Sequence, residues 1–190
     1  MWLGFAPAMP LRPVLQFPDP RLKRKSAPVA AVTEEIRQLA ADMIEVMYDE
    51  PGNGLAAPQV GEAIRLIVMD TGWTEDDAEK KPSVMLNPEI VAREGDVTWS
   101  EGCLSVPDFN ADVERSARVR VRYQDLEGNT HEEDASELRA VCFQHEIDHL
   151  DGVLYIDRIS RLKRSLYTQR RKKALLRELE EGPSAANRGA

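Results

Sequence analysis

The chain has 190 residues, 42% of them hydrophobic and 31% charged, with a formal net charge of −8. That length and balance exclude a low-complexity polypeptide and point to one soluble domain with a sizeable core. No apolar run reaches the ~18 residues of a membrane-crossing helix. Two cysteines, Cys103 and Cys142, are too few for a secreted disulfide framework, so a reducing compartment and a metal or catalytic use fit them better.

The charge is uneven, acidic at 74–79 and basic at 158–173. The default reading of both is solvated surface; the alternative is a basic tail that touches an anionic partner such as RNA. The start, 1–13, is broken by Pro7 and Pro10, has no charge before Arg12 and makes a poor signal peptide. Met9 is a second candidate start, which would make 1–8 an extension.

Residues 10–28 are proline-punctuated and should wrap the domain in extended form. Apolar spacing predicts a helix over 33–48 with Thr33 as N-cap. Pro51-Gly52-Asn53-Gly54 then breaks the chain into a loop running to Gln59. Strands are expected at 64–69, 84–93, 96–99, 113–123 and 130–134, with a polar loop at 71–82. In the long strand Val119, Val121 and Tyr123 share one face and Arg118, Arg120 and Arg122 the other, so one face is wet. His131 reads as an exposed strand residue with no partner nearby in sequence.

Ser136 is placed to cap a helix ending near Gly152, with Leu138, Val141, Cys142, His145 and His149 on its inward face. A short apolar piece at 153–156, a final helix over 160–181 and a disordered tail at 182–190 complete the chain. The predicted class is α+β: mostly antiparallel strands around a central H-E-x-x-H helix, with an N-terminal and a C-terminal helix. All of 1–190 is read as a single catalytic domain, with 1–12 a candidate flexible extension and 160–190 the C-terminal helix and tail.

That central helix carries Gln144-His145-Glu146-Ile147-Asp148-His149. Two imidazoles one turn apart can reach one divalent cation, and Glu146 can address a bound water. An open site needs a third protein ligand. Cys142 is one turn before His145, but Cys142 and His149 are separated by a rise of ~10 Å, too far for one straight helix to fold all three onto one ion. Cys142 therefore reads as a small buried lining residue. Cys103, after Gly102 on a loop or strand end, can approach from across the site, although such a cysteine is by itself more often structural.

Three blocks occur in order: Gly52-Asn53-Gly54-Leu55-Ala56-Ala57-Pro58-Gln59, Glu101-Gly102-Cys103-Leu104-Ser105 and Gln144-His145-Glu146-Ile147-Asp148-His149. Together they resemble peptide deformylase in its bacterial-type form. The resemblance runs from Pro13-Val14-Leu15 and Pro18-Asp19-Pro20-Arg21-Leu22 to Asp151-Gly152-Val153-Leu154. It implies a metallohydrolase that removes the formyl group from the N-terminal formyl-methionine of newly made polypeptides. By resemblance Cys103, His145 and His149 bind the metal. Gln59, the Leu104 backbone N–H and the metal hold the developing oxyanion, and Glu146 is general base and then general acid.

Gly52 and Gly54 would let the peptide backbone approach. Val141 and Cys142 are expected as walls of the methionine pocket, and Glu101 and Arg115 as a supporting ion pair. The donor set suits zinc, cobalt, nickel or iron; the resemblance implies Fe2+, replaceable by Ni2+ or Co2+. It also implies a cytoplasmic protein that acts on formyl-methionyl nascent peptides, with the basic C-terminal helix a candidate ribosome-docking element. Two departures stand out. Asn53 occupies a position where many members carry Val or Ile, and Asn110 cannot supply the charge of an Arg that contacts substrate in some members.

Two rival readings remain at this stage. A generic H-E-x-x-H metalloprotease would take its third ligand downstream, for example from Glu178. A structural metal module would close the site with a fourth ligand, of which Cys142 is the candidate.

Overall fold

A computed structural model describes residues 11–74 and 79–181. The candidate start at Met9, most of the acidic run at 74–79 and the tail at 182–190 lie outside the described residues. The chain enters along the body in extended form: Leu15 N–H donates to the Gln59 carbonyl and Phe17 N–H to the Ser105 carbonyl. Five strands follow helix α1 (Glu34–Asp49): β1 (Gly54–Ala56), β2 (Leu66–Met69), β3 (Ser83–Cys103), β4 (Val106–Gln124) and β5 (Thr130–Ser136). They form one antiparallel sheet in chain order. Helices α2 (Glu137–Leu150) and α3 (Arg161–Glu181) complete the α+β fold.

Alternation along β2 explains why all four of its residues are buried. Leu66 and Val68 point into a cluster with Leu39, Met43 and Met47 of α1. Ile67 and Met69 point the other way, against Phe143, Ile147 and Leu150 of α2. This end of the sheet is therefore covered on both faces, and the helix with the two histidines is pressed against its inner side. Along β4 the expected alternation holds: Val119 and Val121 are buried, while Arg120 and Arg122 are exposed and pair with Asp134 and Glu132 across to β5.

The two strands expected at 84–93 and 96–99 are a single strand. In place of the gap expected at 94–95, β4 pairs on both sides of Gly95, through Glu94 with Arg118 and Asp96 with Ser116. Gly95 takes φ +62, and a Cβ there would lie 3.3 Å from that of Ala117. The glycine admits a distortion within the ladder rather than a turn. The partner strand likewise starts at Val106, not at 113.

Thr33 and Ser136 occupy the N-cap positions of α1 and α2, but neither side chain makes a capping hydrogen bond. His131 is exposed as expected, yet it has a partner: Nε2 lies 2.6 Å from Asp125 Oδ2 and the ring stacks on Tyr123. The piece at 153–156 becomes a 3-10 turn at Tyr155–Asp157, from which α3 departs with Tyr167 buried beside Tyr155 and Ile156.

Candidate metal centre

Helix α2 spends one side on the sheet, through Ala140, Phe143, Ile147 and Leu150. Its motif histidines meet Cys103, the last residue of β3. Cys103 Sγ lies 3.2 Å from His149 Nε2, and the two histidine Nε2 atoms are 3.3 Å apart. Donors held 2.0–2.3 Å from one tetrahedral ion sit ~3.3–3.6 Å from each other, so the spacing suits a shared cation. Among the described residues this trio is the cluster of His, Cys, Asp and Glu able to hold a metal. Cys142 is not in it, in keeping with the helix-rise argument. Glu178, the downstream ligand of the protease reading, is on α3 and faces Arg171 at 3.5 Å.

Neighbouring groups orient one histidine and burial keeps the other neutral. His145 Nδ1 lies 2.8 Å from Glu101 Oε2, a contact that orients the ring and leaves Nε2 facing His149 Nε2. Burial holds His149 well below the usual imidazole range, in the neutral form a metal requires. Its Nδ1 is a buried polar atom without a hydrogen-bond partner among the described residues. Residues present therefore fit a divalent ion.

Glu146 is 4% exposed. Burial pushes its carboxyl up to about 7, and Oε2 has no hydrogen-bond partner among the described residues. Glu101 moves the opposite way. Burial opposes its ionisation, but Arg115 and His145 outweigh burial and draw it down to about 2. The expected Glu101–Arg115 pair is present and bidentate, at 2.6 and 2.9 Å. Burial raises the Cys142 thiol, which stands as a neutral, apolar wall.

A cleft of about 680 Å³ opens over the trio. Gly52, Gly54, Gln59, Cys103, Leu104, Val141, Cys142 and His145 all line it, while Glu146 and His149 are set behind its surface. Leu138 and Phe109 extend the lining on apolar chemistry alone. Gln59, in the 3-10 turn Ala57–Val60, is held by its own amide. Oε1 accepts from Ala56 N–H at 2.8 Å, and Nε2 donates to Ser105 Oγ at 3.2 Å and faces Cys103 Sγ at 3.6 Å. At Gly54 any Cβ would fall 2.7 Å from Glu146 Oε1 and 2.8 Å from Cys142 Sγ. The β1 backbone thus packs directly on the buried acid. Ser105 and Asp148 were not singled out from sequence. Asp148 could have been, as a charged residue on a buried stretch of helix.

The description Polypeptide deformylase belongs to a family model that matches residues 11–165. The chain belongs to the peptide deformylase family. Peptide deformylase of Rhodopseudomonas palustris strain BisB5 is 52% identical over 173 residues, 90% of this chain and 99% of that protein. The crystal structure of a peptide deformylase from Legionella pneumophila, 39% identical, superposes with a TM-score of 0.81 over 92% of this chain and 100% of that one. A Met-Ala-Ser-bound peptide deformylase from Acinetobacter baumannii, 36% identical, gives 0.74 over 78% of this chain and 98% of that one. The α+β sheet with its three helices is thus the peptide deformylase fold.

Proposed function

We infer that this protein removes the formyl group from the N-terminal formyl-methionine of newly made polypeptides and releases formate, the reaction of its family. The observation that carries this reading is the meeting of Cys103 with His145 and His149 beneath a cleft, with Glu146 buried alongside.

Cys103, His145 and His149 would hold the metal, and Fe2+ is the ion we propose, replaceable by Ni2+, Co2+ or Zn2+. When bound, the ion supplies Lewis acidity toward the formyl carbonyl and hydroxide near neutral pH. Glu146 takes the proton of the attacking water and returns it to the leaving nitrogen. A carboxyl held near 7 is matched to both transfers. Gln59 Nε2 and the Leu104 backbone N–H donate to the oxygen on which charge develops. Val141 and Cys142 form the wall against which the methionine side chain packs, and Gly52 and Gly54 leave room for the peptide backbone. The Met-Ala-Ser peptide in the A. baumannii structure supports a methionine-first occupant for this cleft.

The same reading places the enzyme in the cytoplasm, near the ribosome. On α3, Arg170 donates to the Asp108 carbonyl and Arg171 to the Phe17 carbonyl and Gln16. Lys163, Lys172, Lys173 and Arg177 stay exposed and could face an anionic partner. No helix among the described residues is long and apolar enough to cross a membrane.

The direct test is formate release from a formyl-methionyl peptide by protein purified anaerobically and loaded with Fe2+ or Ni2+. The expected result is stoichiometric formate and free amine. Folded, loaded protein that releases neither would overturn the assignment.

A further inference from the structure

We propose that Asp148 and Arg158 are positioning residues for His145, at the outer end of a charge relay that runs from the protein surface to the metal centre. The proposal rests on the metal site assigned above. The relay can be followed atom by atom. His145 Nδ1 lies 2.8 Å from Glu101 Oε2. Arg115 donates Nε and Nη2 to the two Glu101 oxygens and Nη1 to Asp148 Oδ2 at 2.6 Å. Arg158 then closes on Asp148 with Nε and Nη2, one to each carboxylate oxygen.

Two carboxylates and two guanidiniums thus alternate across β3, β4, α2 and the turn before α3. The Arg115 and Glu101 side chains are 2% and 3% exposed, Asp148 is 12%, and Arg158 is 42%. Arg158 and Asp148 meet at the wall of a polar cavity of about 310 Å³, lined by α2 residues other than those that line the substrate cleft.

The chain of contacts says why Asp148 matters to a ring it does not touch. Glu101 can hold His145 in one orientation only if its own partner is fixed. Arg115 has its Nε and Nη2 edge on Glu101, and among the described residues its remaining arm is fixed by Asp148 alone. With Asn in place of Asp148, the buried Arg115 guanidinium keeps one charged partner instead of two and can pivot about Glu101. Such tilting reaches the His145 ring directly, because partners of metal-bound histidines orient them. Arg158 in turn fixes Asp148. A planar, two-bond fork defines its direction in a way that a single ammonium contact does not.

A structural ion pair would change stability alone, whereas a positioning pair changes the metal's environment. The variants Asp148→Asn, Arg158→Ala and Arg158→Lys, with Arg120→Ala as a surface-pair control, would be loaded with Co2+. The readouts are the visible absorption band, the rate of Co2+ loss to excess chelator and the unfolding temperature. Asp148→Asn should shift the band and speed metal loss on the order of ten-fold, the low end of the range for residues behind a ligand. Arg158→Ala should do so by roughly three-fold, being one contact further out. Arg158→Lys should recover part of that, and Arg120→Ala should leave band and rate unchanged.

Wild-type bands and rates in both Asp148→Asn and Arg158→Ala, whatever their stability, would overturn the proposal. If Asp148→Asn does not fold, the exposed Arg158→Ala and Arg158→Lys pair decides. Formate release is assayed separately. Loaded wild-type protein without it would refute the deformylase reading while the band and loss rates still judge the relay.

Discussion

Glu146 is buried, has an oxygen with no hydrogen-bond partner among the described residues and is drawn up to about 7 by burial. Replacing it with Ala should leave metal content at the wild-type level and lower kcat by ~10² to 10⁴, the usual contribution of a positioned acid–base group. Metal analysis beside formate release checks both halves. Cys103→Ala should instead abolish stable metal retention, which separates a ligand from a base. Gly54→Ala probes the same carboxylate from the backbone side. Its Cβ would sit 2.7 Å from Glu146 Oε1, so the acid must move and kcat should fall with metal content kept. Glu101 gives a pH prediction. Its pKa falls from ~4.3 in an unfolded chain to about 2 in the fold. The unfolded state therefore binds more protons in this window. The pair's stabilisation is complete above ~4.3 and disappears as pH falls through about 2, a change of about 3 kcal/mol. In urea unfolding of metal-free protein, the stability gap between wild type and Glu101→Gln should be widest near pH 6 and shrink toward pH 2.

At the level of elements, α2 is fixed by apolar contacts on one side and turns its two motif histidines toward Cys103 on the other. Phe143, fully buried against the sheet, should cost about 3–5 kcal/mol when cut to Ala, and metal should be lost in step with unfolding rather than before it. The α2 stripe was legible in the sequence because 3.6-residue spacing places His145 and His149 on one face. The Arg–Val alternation of β4 was equally legible. The continuity of β3 was not, because a glycine inside a strand and a glycine in a turn carry the same local signal; only pairing with Arg118 and Ser116 distinguishes them. Nor could spacing alone bring Cys103 to His149, since that contact is made by a strand and a helix 46 residues apart. The order of the three motif blocks supplied it by resemblance. On α3, charge reversal at Lys172 and Lys173 should weaken co-sedimentation with ribosomes in a salt-dependent way while leaving turnover on a free peptide intact. Unchanged co-sedimentation would refute ribosome docking through this helix.

Across the whole molecule, the sheet edge, the hairpin between β3 and β4 and α2 converge on one cleft, and an ion held by Cys103, His145 and His149 would tie the latter two together. Metal binding and folding are then linked. Removing the ion with a chelator should lower the unfolding temperature and stop turnover. Readdition of Ni2+ or Fe2+ under anaerobic conditions should restore both. The relay from Arg158 to His145 spans β3, β4, α2 and the turn before α3; only its Glu101–Arg115 pair was expected, by resemblance, and the outer contacts through Asp148 and Arg158 join stretches of chain that no local pattern links. The most direct test of the central claim is a single parallel assay. Anaerobic, metal-loaded wild type and Glu146→Ala are given a formyl-methionyl peptide, and formate is measured against bound metal. Rapid formate release by wild type and near-complete loss in the variant at equal metal content is the predicted result. Equal release by the two proteins, or none by a folded, loaded wild type, would contradict it.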